Sequence, residues 1–99
     1  MYKQMYKILP YSFQRAKEIN VKILPSENLT KKIDVYKDNK KVASIGAKGY
    51  MDYPTYTKLK GKEFADIRRK LYYGRHANEK VKDKEGNYTP SYYAKKILW

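Results

Sequence analysis

The chain has 99 residues and a formal net charge of +13, from 23 Lys and Arg against 10 Asp and Glu. A chain of this length forms one domain and excludes a multidomain enzyme, and its charge exceeds the roughly 2–8 that is usual for a small domain. Since it has no cysteine, no membrane-length apolar run and no secretion signal in residues 1–6, we expect an intracellular protein without disulfides, thiolate metal sites or membrane spans.

The first predicted elements are a short helix and a strand. In residues 1–20 the apolar residues follow helical spacing, but Pro10 lies among them, which favours a turn followed by a short helix over one continuous helix. Residues Val21–Leu24 carry β-branched Val21 and Ile23 at alternate positions and are followed by Pro25. This pattern predicts a strand that ends at the proline.

Residues 32–46 predict a β-hairpin, because two runs of alternating apolar and polar residues flank an Asp-Asn turn. A three-residue loop, Asp38–Lys40, pairs Ile33 with Ile45 and gives one fully apolar face. A two-residue loop opposes Ile33 to Ser44 instead. We favour the three-residue loop, since a slip of one residue sends the apolar side chains to the wrong face.

The segment after the hairpin predicts the main helix. Asp52 and Pro54 have the positions of a cap and a first-turn proline, Gly61 marks a bend, and Gly74 is placed to end the helix. Helical spacing turns one set of apolar residues toward the core. These are Tyr56, Leu59, Phe64, Ile67 and Leu71.

The last segment predicts an exposed polar loop over residues 77–88 and a short C-terminal helix. Thr89 and Pro90 mark the start of this helix, and the apolar Trp99 is expected to pack against the body of the domain. The predicted fold is therefore a single α+β domain over residues 1–99. It is a three-stranded antiparallel meander packed by one main helix and a short C-terminal helix.

Catalysis has little support in the sequence. The single His excludes an imidazole pair, and no Gly-rich phosphate loop is present. Folding could gather four carboxylates into a metal site, but no short motif unites them. These carboxylates are Asp34, Asp52, Glu63 and Asp66. Asp34 is better explained as a solvent-facing strand residue. We expect no enzymatic activity, no cofactor, no metal and no small-molecule substrate.

Binding has better support, because Lys and Arg attract phosphates and exposed Tyr can stack on unpaired bases. The candidate nucleic-acid-binding residues are Lys40, Lys41, Lys48, Tyr53, Arg68, Arg69, Tyr72, Arg75 and His76. The lysines of the hairpin end could equally form a solvated turn that protects an edge strand, and Lys48 could lie in a plain turn.

The segment Arg68–His76 is the favoured patch, because it holds three of the four arginines, and Arg binds phosphate bidentately. The structural alternative is that one arginine pairs with Glu63 or Asp66 while the tyrosines fill the core. His76 taken alone is more often structural than functional. Tyr-rich surfaces also suit protein interfaces, so composition does not separate nucleic-acid binding from protein binding.

Three segments carry a resemblance that covers about residues 11–99. They are GAKGYMDYPTY (46–56), RRKLYYGRH (68–76) and TPSYYAKKILW (89–99). With them the chain resembles a family of small basic proteins of large DNA viruses and some tailed phages. No activity is associated with that family, so the resemblance implies no catalytic residue. The resemblance implies a viral source and favours genome binding, packaging or a place in the capsid.

These observations predict a small basic protein that binds nucleic acid, DNA more than RNA, without sequence specificity. Arg and Lys would contact phosphates and Tyr would stack on bases. The alternative is a structural protein, minor capsid or virion-associated, that binds acidic protein surfaces in a viral particle. The expected location is the host cytoplasm or a viral factory, with packaging in the virion as an option.

Overall fold

The structure, a computed structural model, describes residues 5–99, which form a three-stranded antiparallel sheet and four helices. In chain order the elements are α1 (Pro10–Glu18), β1 (Lys22–Pro25), β2 (Lys31–Lys37), β3 (Lys40–Ala47), α2 (Tyr53–Lys60), α3 (Lys62–Arg75) and α4 (Pro90–Ile97). The strand order β1-β2-β3 confirms the predicted α+β fold with an antiparallel meander. The predictions on residues 1–20 and on a secretion signal include residues 1–4, which lie outside the described residues.

The β2–β3 hairpin combines features of both predicted loops. Ile33 pairs with Ile45 as predicted, but the three-residue loop is wrong, because the turn is Asp38–Asn39 with positive φ at both residues. Such a turn matches the right-handed twist of the flanking strands. The two findings are compatible because the register shifts by one residue after Val35, which leaves Val42 as the extra residue of a β-bulge.

Both faces of the central strand β2 are buried, including its polar residues Lys32 and Asp34. The prediction that Asp34 faces solvent is therefore wrong. The hydroxyls of Ser26 and Ser44 each donate to Asp34 Oδ1 at 2.7 Å and replace the water that the carboxylate loses. Burial acts to raise the pKa of Asp34, but the two hydroxyls and the Lys41 ammonium hold it below its usual value.

Helix α1 begins at Pro10, consistent with the predicted turn and short helix, and packs against α4. Its side chains bind the carbonyl groups at the end of α4, which have no partner within that helix. Ser12 Oγ donates to the carbonyl of Ile97 at 2.9 Å, and Arg15 Nε donates to that of Lys96 at 2.7 Å. These contacts fix the end of α4, and Trp99 beyond it is buried as predicted.

The predicted main helix is present as two helices, α2 and α3, because Gly61 interrupts it. Asp52 caps α2 as predicted, and its Oδ1 accepts the backbone N–H of Thr55 at 3.0 Å. Gly61 has φ 92° and ψ 163°, a conformation essentially restricted to glycine, so helical spacing counted across it does not hold. The prediction that Gly74 ends the helix is wrong, since α3 continues through it to Arg75.

The inward-facing set predicted for the main helix is also wrong, apart from the half-buried Tyr56. Ala65 is the buried residue of α3, and the half-buried Tyr72 lies two turns further on the same side. The remaining predicted residues are all exposed, and together we call them the outer stripe. Its residues are Leu59 (63% exposed), Phe64 (42%), Ile67 (60%) and Leu71 (47%).

The segment between α3 and α4 is exposed over residues 77–87. Thr89 caps α4 as predicted, because its Oγ1 accepts the backbone N–H of Tyr92 at 3.2 Å, and Pro90 occupies the first helical position. The inner side of α4 buries Tyr93 and Ile97 against the sheet.

Candidate functional site

A cleft of about 420 Å³ lies between α3 and the connection that joins β3 to α2. Four of the candidate residues line it, and all four belong to α3 or directly follow it: Arg68, Tyr72, Arg75 and His76. They recur at intervals of three and four residues, so they share one side of the helix. The favoured patch of the sequence analysis is therefore mostly gathered at one concave surface.

An aromatic wall forms one side of the cleft. The Tyr72 ring stacks on Trp99 with centroids 4.2 Å apart and an interplanar angle of 8°, and the centroid of the tilted His76 ring also lies 4.2 Å from that of Tyr72. Tyr56 packs at an angle on Trp99. Burial raises the pKa of Tyr72 to about 12, so its hydroxyl stays protonated at neutral pH and remains a hydrogen-bond donor.

The floor of the cleft is a buried ion pair between Lys32 Nζ and Asp52 Oδ2 at 2.8 Å. The Tyr6 hydroxyl also donates to Asp52 at 2.7 Å, and Lys32 donates to the carbonyl of Tyr50 at 2.5 Å. Burial, followed by the Asp52 carboxylate, raises the pKa of Tyr6 well above its usual range. Because these groups neutralise and bond one another, the floor adds no net charge to the cleft.

The mouth of the cleft is cationic. The Arg68 guanidinium lies 5.5 Å from the centroid of the Tyr56 ring, and Arg75 is exposed. Within residues 5–99 neither arginine forms an ion pair with a carboxylate. His76 Nδ1 is 2.5 Å from Glu79 Oε2, a contact that orients the imidazole. The two arginines therefore present unneutralised positive charge to any anion at the mouth.

The opposite wall depends on a close approach at Gly46. Gly46 has φ 77°, and a Cβ there would lie 2.7 Å from Leu98 Cδ1 and 3.0 Å from Lys32 Cδ. Glycine thus lets the end of β3 pack closely against Leu98, just after α4. The chain then continues to Tyr50, whose carbonyl is held by Lys32 while its side chain is 76% exposed at the cleft.

Two candidate residues lie outside the cleft in a separate cluster. Tyr53 is buried, and its hydroxyl donates to Asp66 Oδ1 at 2.7 Å. The Arg69 guanidinium is 4.1 Å from the Tyr53 ring centroid and 3.4 Å from Asp66. This is the arrangement of the structural alternative, in which one arginine pairs with Asp66. Because Tyr53 is buried, its ring is not accessible to a base.

The three candidate lysines also do not line the cleft. Lys40 and Lys41 are exposed at the start of β3, and Lys41 Nζ is 3.9 Å from Asp34 Oδ2. The cleft lies at the other end of β3, roughly 20 Å away at the usual rise of a strand. Lys48 directly follows Ala47, a cleft residue, and its backbone N–H donates to Thr30.

Several residues of the cleft were not among the candidates of the sequence analysis: Lys32, Tyr56 and Trp99. They come from β2, α2 and the segment after α4, which are distant in the chain, and they enter the cleft through tertiary packing. Tyr50 lies in the loop after Gly49, a position where the sequence alone favours a tyrosine that contacts a partner.

Over residues 5–99, no group of three His, Cys, Asp or Glu side chains is arranged to hold a metal ion. No helix in this part of the chain is long and apolar enough to span a membrane. The chain matches no known family model, no curated protein and no solved structure. The resemblance to small basic viral proteins therefore stays a prediction.

Proposed function

We propose that the protein binds nucleic acid with little sequence preference and that the cleft is the centre of its interface. The observation that carries the proposal is the placement of Arg68, Arg75 and His76 around the mouth of one aromatic-walled cleft. DNA is the expected nucleic acid, in line with the resemblance to proteins of DNA viruses. Tyr53 and Arg69 are left out of this interface because of their contacts with each other and with Asp66.

The electrostatics support this function. A guanidinium can donate two parallel hydrogen bonds to a phosphate, and neither Arg68 nor Arg75 forms an ion pair with a carboxylate of residues 5–99. The net charge of +13 attracts a polyanion over longer distances, and each phosphate that is neutralised releases counterions. Lys48 beside the cleft extends the basic surface.

Salt-dependent binding tests the proposal. We would measure binding of a labelled duplex and its matching single strand over about 50–300 mM salt, with log affinity expected to fall linearly with log salt. Arg68→Gln combined with Arg75→Gln should reduce the magnitude of this slope by about 2, because two phosphate contacts are lost. The matched control is Lys60→Gln with Lys70→Gln, which removes the same charge from exposed residues outside the cleft.

The control pair should leave the slope within about half a unit of wild type. Equal loss in both double variants would contradict the cleft as the interface, because net charge alone would then account for binding. Absence of binding at about 100 mM salt would contradict the whole proposal, since a polyanion site of this charge retains affinity there.

A second candidate function, binding to acidic protein surfaces in a particle, is favoured by the outer stripe. Exposed apolar patches are typical of protein interfaces, and the exposed Lys60 and Lys70 directly adjoin Leu59 and Leu71 in the sequence. Ile67→Gln with Leu71→Gln separates the two candidates. If the cleft binds nucleic acid, this variant keeps wild-type nucleic-acid affinity, whereas a loss would place the stripe in that interface.

A further inference from the structure

We propose that the cleft holds one unpaired nucleotide, with its phosphate at Arg68 and Arg75 and its base packed beneath the Tyr50 ring. This inference rests on the proposed function and specifies its ligand as an unpaired nucleotide, whether part of a single strand or free. A volume of about 420 Å³ lies within the roughly 300–1,000 Å³ of small-molecule sites. A paired base within a duplex is shielded by its neighbours and cannot enter such a cleft.

The lining matches the two parts of a nucleotide. The walls of the cleft include the aromatic residues Tyr56, Tyr72 and Trp99, while Arg68 and Arg75 lie at the mouth. A nucleotide is divided in the same way, because the faces of its base are planar and apolar while its phosphate is anionic. Because the ion pair at the floor is neutral, an uncharged base meets no repulsive charge inside.

Tyr50 is the stacking residue in this proposal. Its backbone is fixed because Lys32 binds its carbonyl, while its ring is exposed at the rim. The Tyr72 ring already stacks on Trp99 and lies against the His76 ring, so Tyr72 forms part of the wall and is not the residue that stacks on a base. The exposed ring of Tyr50 can close over a base without breaking a contact in the core.

Trp99 supplies an intrinsic signal, because it is the only tryptophan of the chain and lies in the wall of the cleft. We would follow its fluorescence while adding a nucleoside 5′-monophosphate, the same nucleoside, inorganic phosphate, or a short single strand. The monophosphate and the strand should give saturable changes. The nucleoside and phosphate alone should bind at least about tenfold more weakly, since each lacks one half of the recognised group.

Two variants assign the base contact. Tyr50→Ala should weaken single-strand binding by about tenfold and leave the salt slope unchanged, because stacking does not depend on counterion release. Phe13→Ala is the matched control, since it removes an exposed ring from α1, far from the cleft in the chain, and should change neither quantity. Circular dichroism checks that both variants keep the fold, as expected for exposed positions.

The outcomes separate this inference from the proposed function. If the duplex binds with the expected salt slope but the monophosphate gives no saturable change, the nucleotide pocket is overturned and the proposed function stands. If inorganic phosphate binds as tightly as the monophosphate, the cleft is an anion site without base recognition, and the inference also fails. If neither strand nor duplex binds at low salt, both proposals fail together.

Discussion

The two sides of α3 have residue types opposite to those of an ordinary amphipathic helix. The inner side carries Ala65, Arg68, Tyr72 and His76, which are buried or half-buried, whereas the outer stripe exposes large aliphatic and aromatic residues. Hydrophobicity alone would reverse this orientation. We infer that the break at Gly61 and the stacking of Tyr72 on Trp99 determine which side of α3 faces the body of the domain.

Polar residues on the inner side can be partly buried because their apolar parts make the contacts. The Arg68 guanidinium lies over the Tyr56 ring, and the Tyr72 ring packs against Trp99 and His76. Long cationic side chains bury their stems and keep the charge at the surface, and a guanidinium over an aromatic face is favourable. The result is a helix side that is both packed and cationic, which the proposed interface requires.

The largest expected effect is a difference in the free energy of unfolding between variants of two neighbouring residues of α3. Tyr72→Ala should lower the free energy of unfolding by about 2–3 kcal/mol, somewhat below the roughly 3–5 kcal/mol of a fully buried aromatic ring, because Tyr72 is half-buried. Leu71→Ala is the matched change on the outer stripe and should stay within about 0.5 kcal/mol of wild type. Denaturant unfolding of both variants measures the difference.

A cost of about 2–5 kcal/mol for Leu71→Ala would instead indicate a core leucine and would contradict the orientation of α3 described here. If the stability cost of Leu71→Ala were the same at low protein concentration, burial of Leu71 by self-association would be excluded as its cause. A near-zero cost for Tyr72→Ala would contradict the stabilising role of the stacked rings.

Substitution of Gly61 and Gly74 by alanine should change the stability of the protein in opposite directions. Gly61→Ala should destabilise the protein by about 1–3 kcal/mol, because alanine is strained at φ 92° even though no heavy atom of the described residues lies within 4 Å of the added methyl group. Gly74→Ala should stabilise it by about 0.5–1 kcal/mol, since Gly74 lies inside α3 and nothing in residues 5–99 comes within 4 Å of an added methyl group. Thermal and denaturant unfolding of each variant measures both signs.

Destabilisation by Gly74→Ala would restore the sequence prediction that this glycine ends the helix. A neutral Gly61→Ala would mean that α2 and α3 can join into one helix, which would turn the outer stripe back toward the core and remove the contrast between the two sides.

The smallest expected effect concerns Asp66, between the inner and outer sides of α3. Hydrogen bonds from Lys62 and then from Tyr53 lower the pKa of Asp66. A carboxylate with a lowered folded-state pKa adds stability above its unfolded pKa of about 3.9, and this stability is lost as the pH falls through the folded-state pKa. Asp66→Asn should therefore lower the melting temperature slightly at pH 7 and not in strong acid.

Glu63→Gln is the matched control, because Glu63 is exposed in the first turn of α3 and forms no ion pair among the described residues. The Asp66 effect should shrink in high salt, which screens exposed pairs. An equal response of both variants would indicate a general charge effect and no specific role for the Asp66 contacts.

Elements that depend on local chemistry could be predicted from the sequence. The caps at Asp52 and Thr89 and the pairing of Ile33 with Ile45 follow from nearby residues and are confirmed. The loop length was mispredicted because a bulge separates the core register from the turn. The orientation of α3 was mispredicted because the spacing was counted across Gly61, where the helix stops.

The candidate site was predictable only in part, for the same reason. Arg68, Tyr72, Arg75 and His76 are close in sequence, so helical spacing could group them. Lys32, Tyr50 and Trp99 are brought in by the sheet, a connection and the end of α4. Whether a tyrosine is buried like Tyr53 or exposed like Tyr50 depends on tertiary neighbours and not on composition.

The bulge at Val42 gives the β2–β3 hairpin one position where its length can change by one residue. Deleting Val42 leaves Tyr36 opposite Lys41 and Val35 opposite Ala43, so neither the turn nor the core pairing is disturbed. A deletion further along β3 would shift the strand and turn its apolar side chains to the other face. Insertions and deletions that arise in this hairpin during evolution should therefore be tolerated at Val42, where the protein already carries one extra residue.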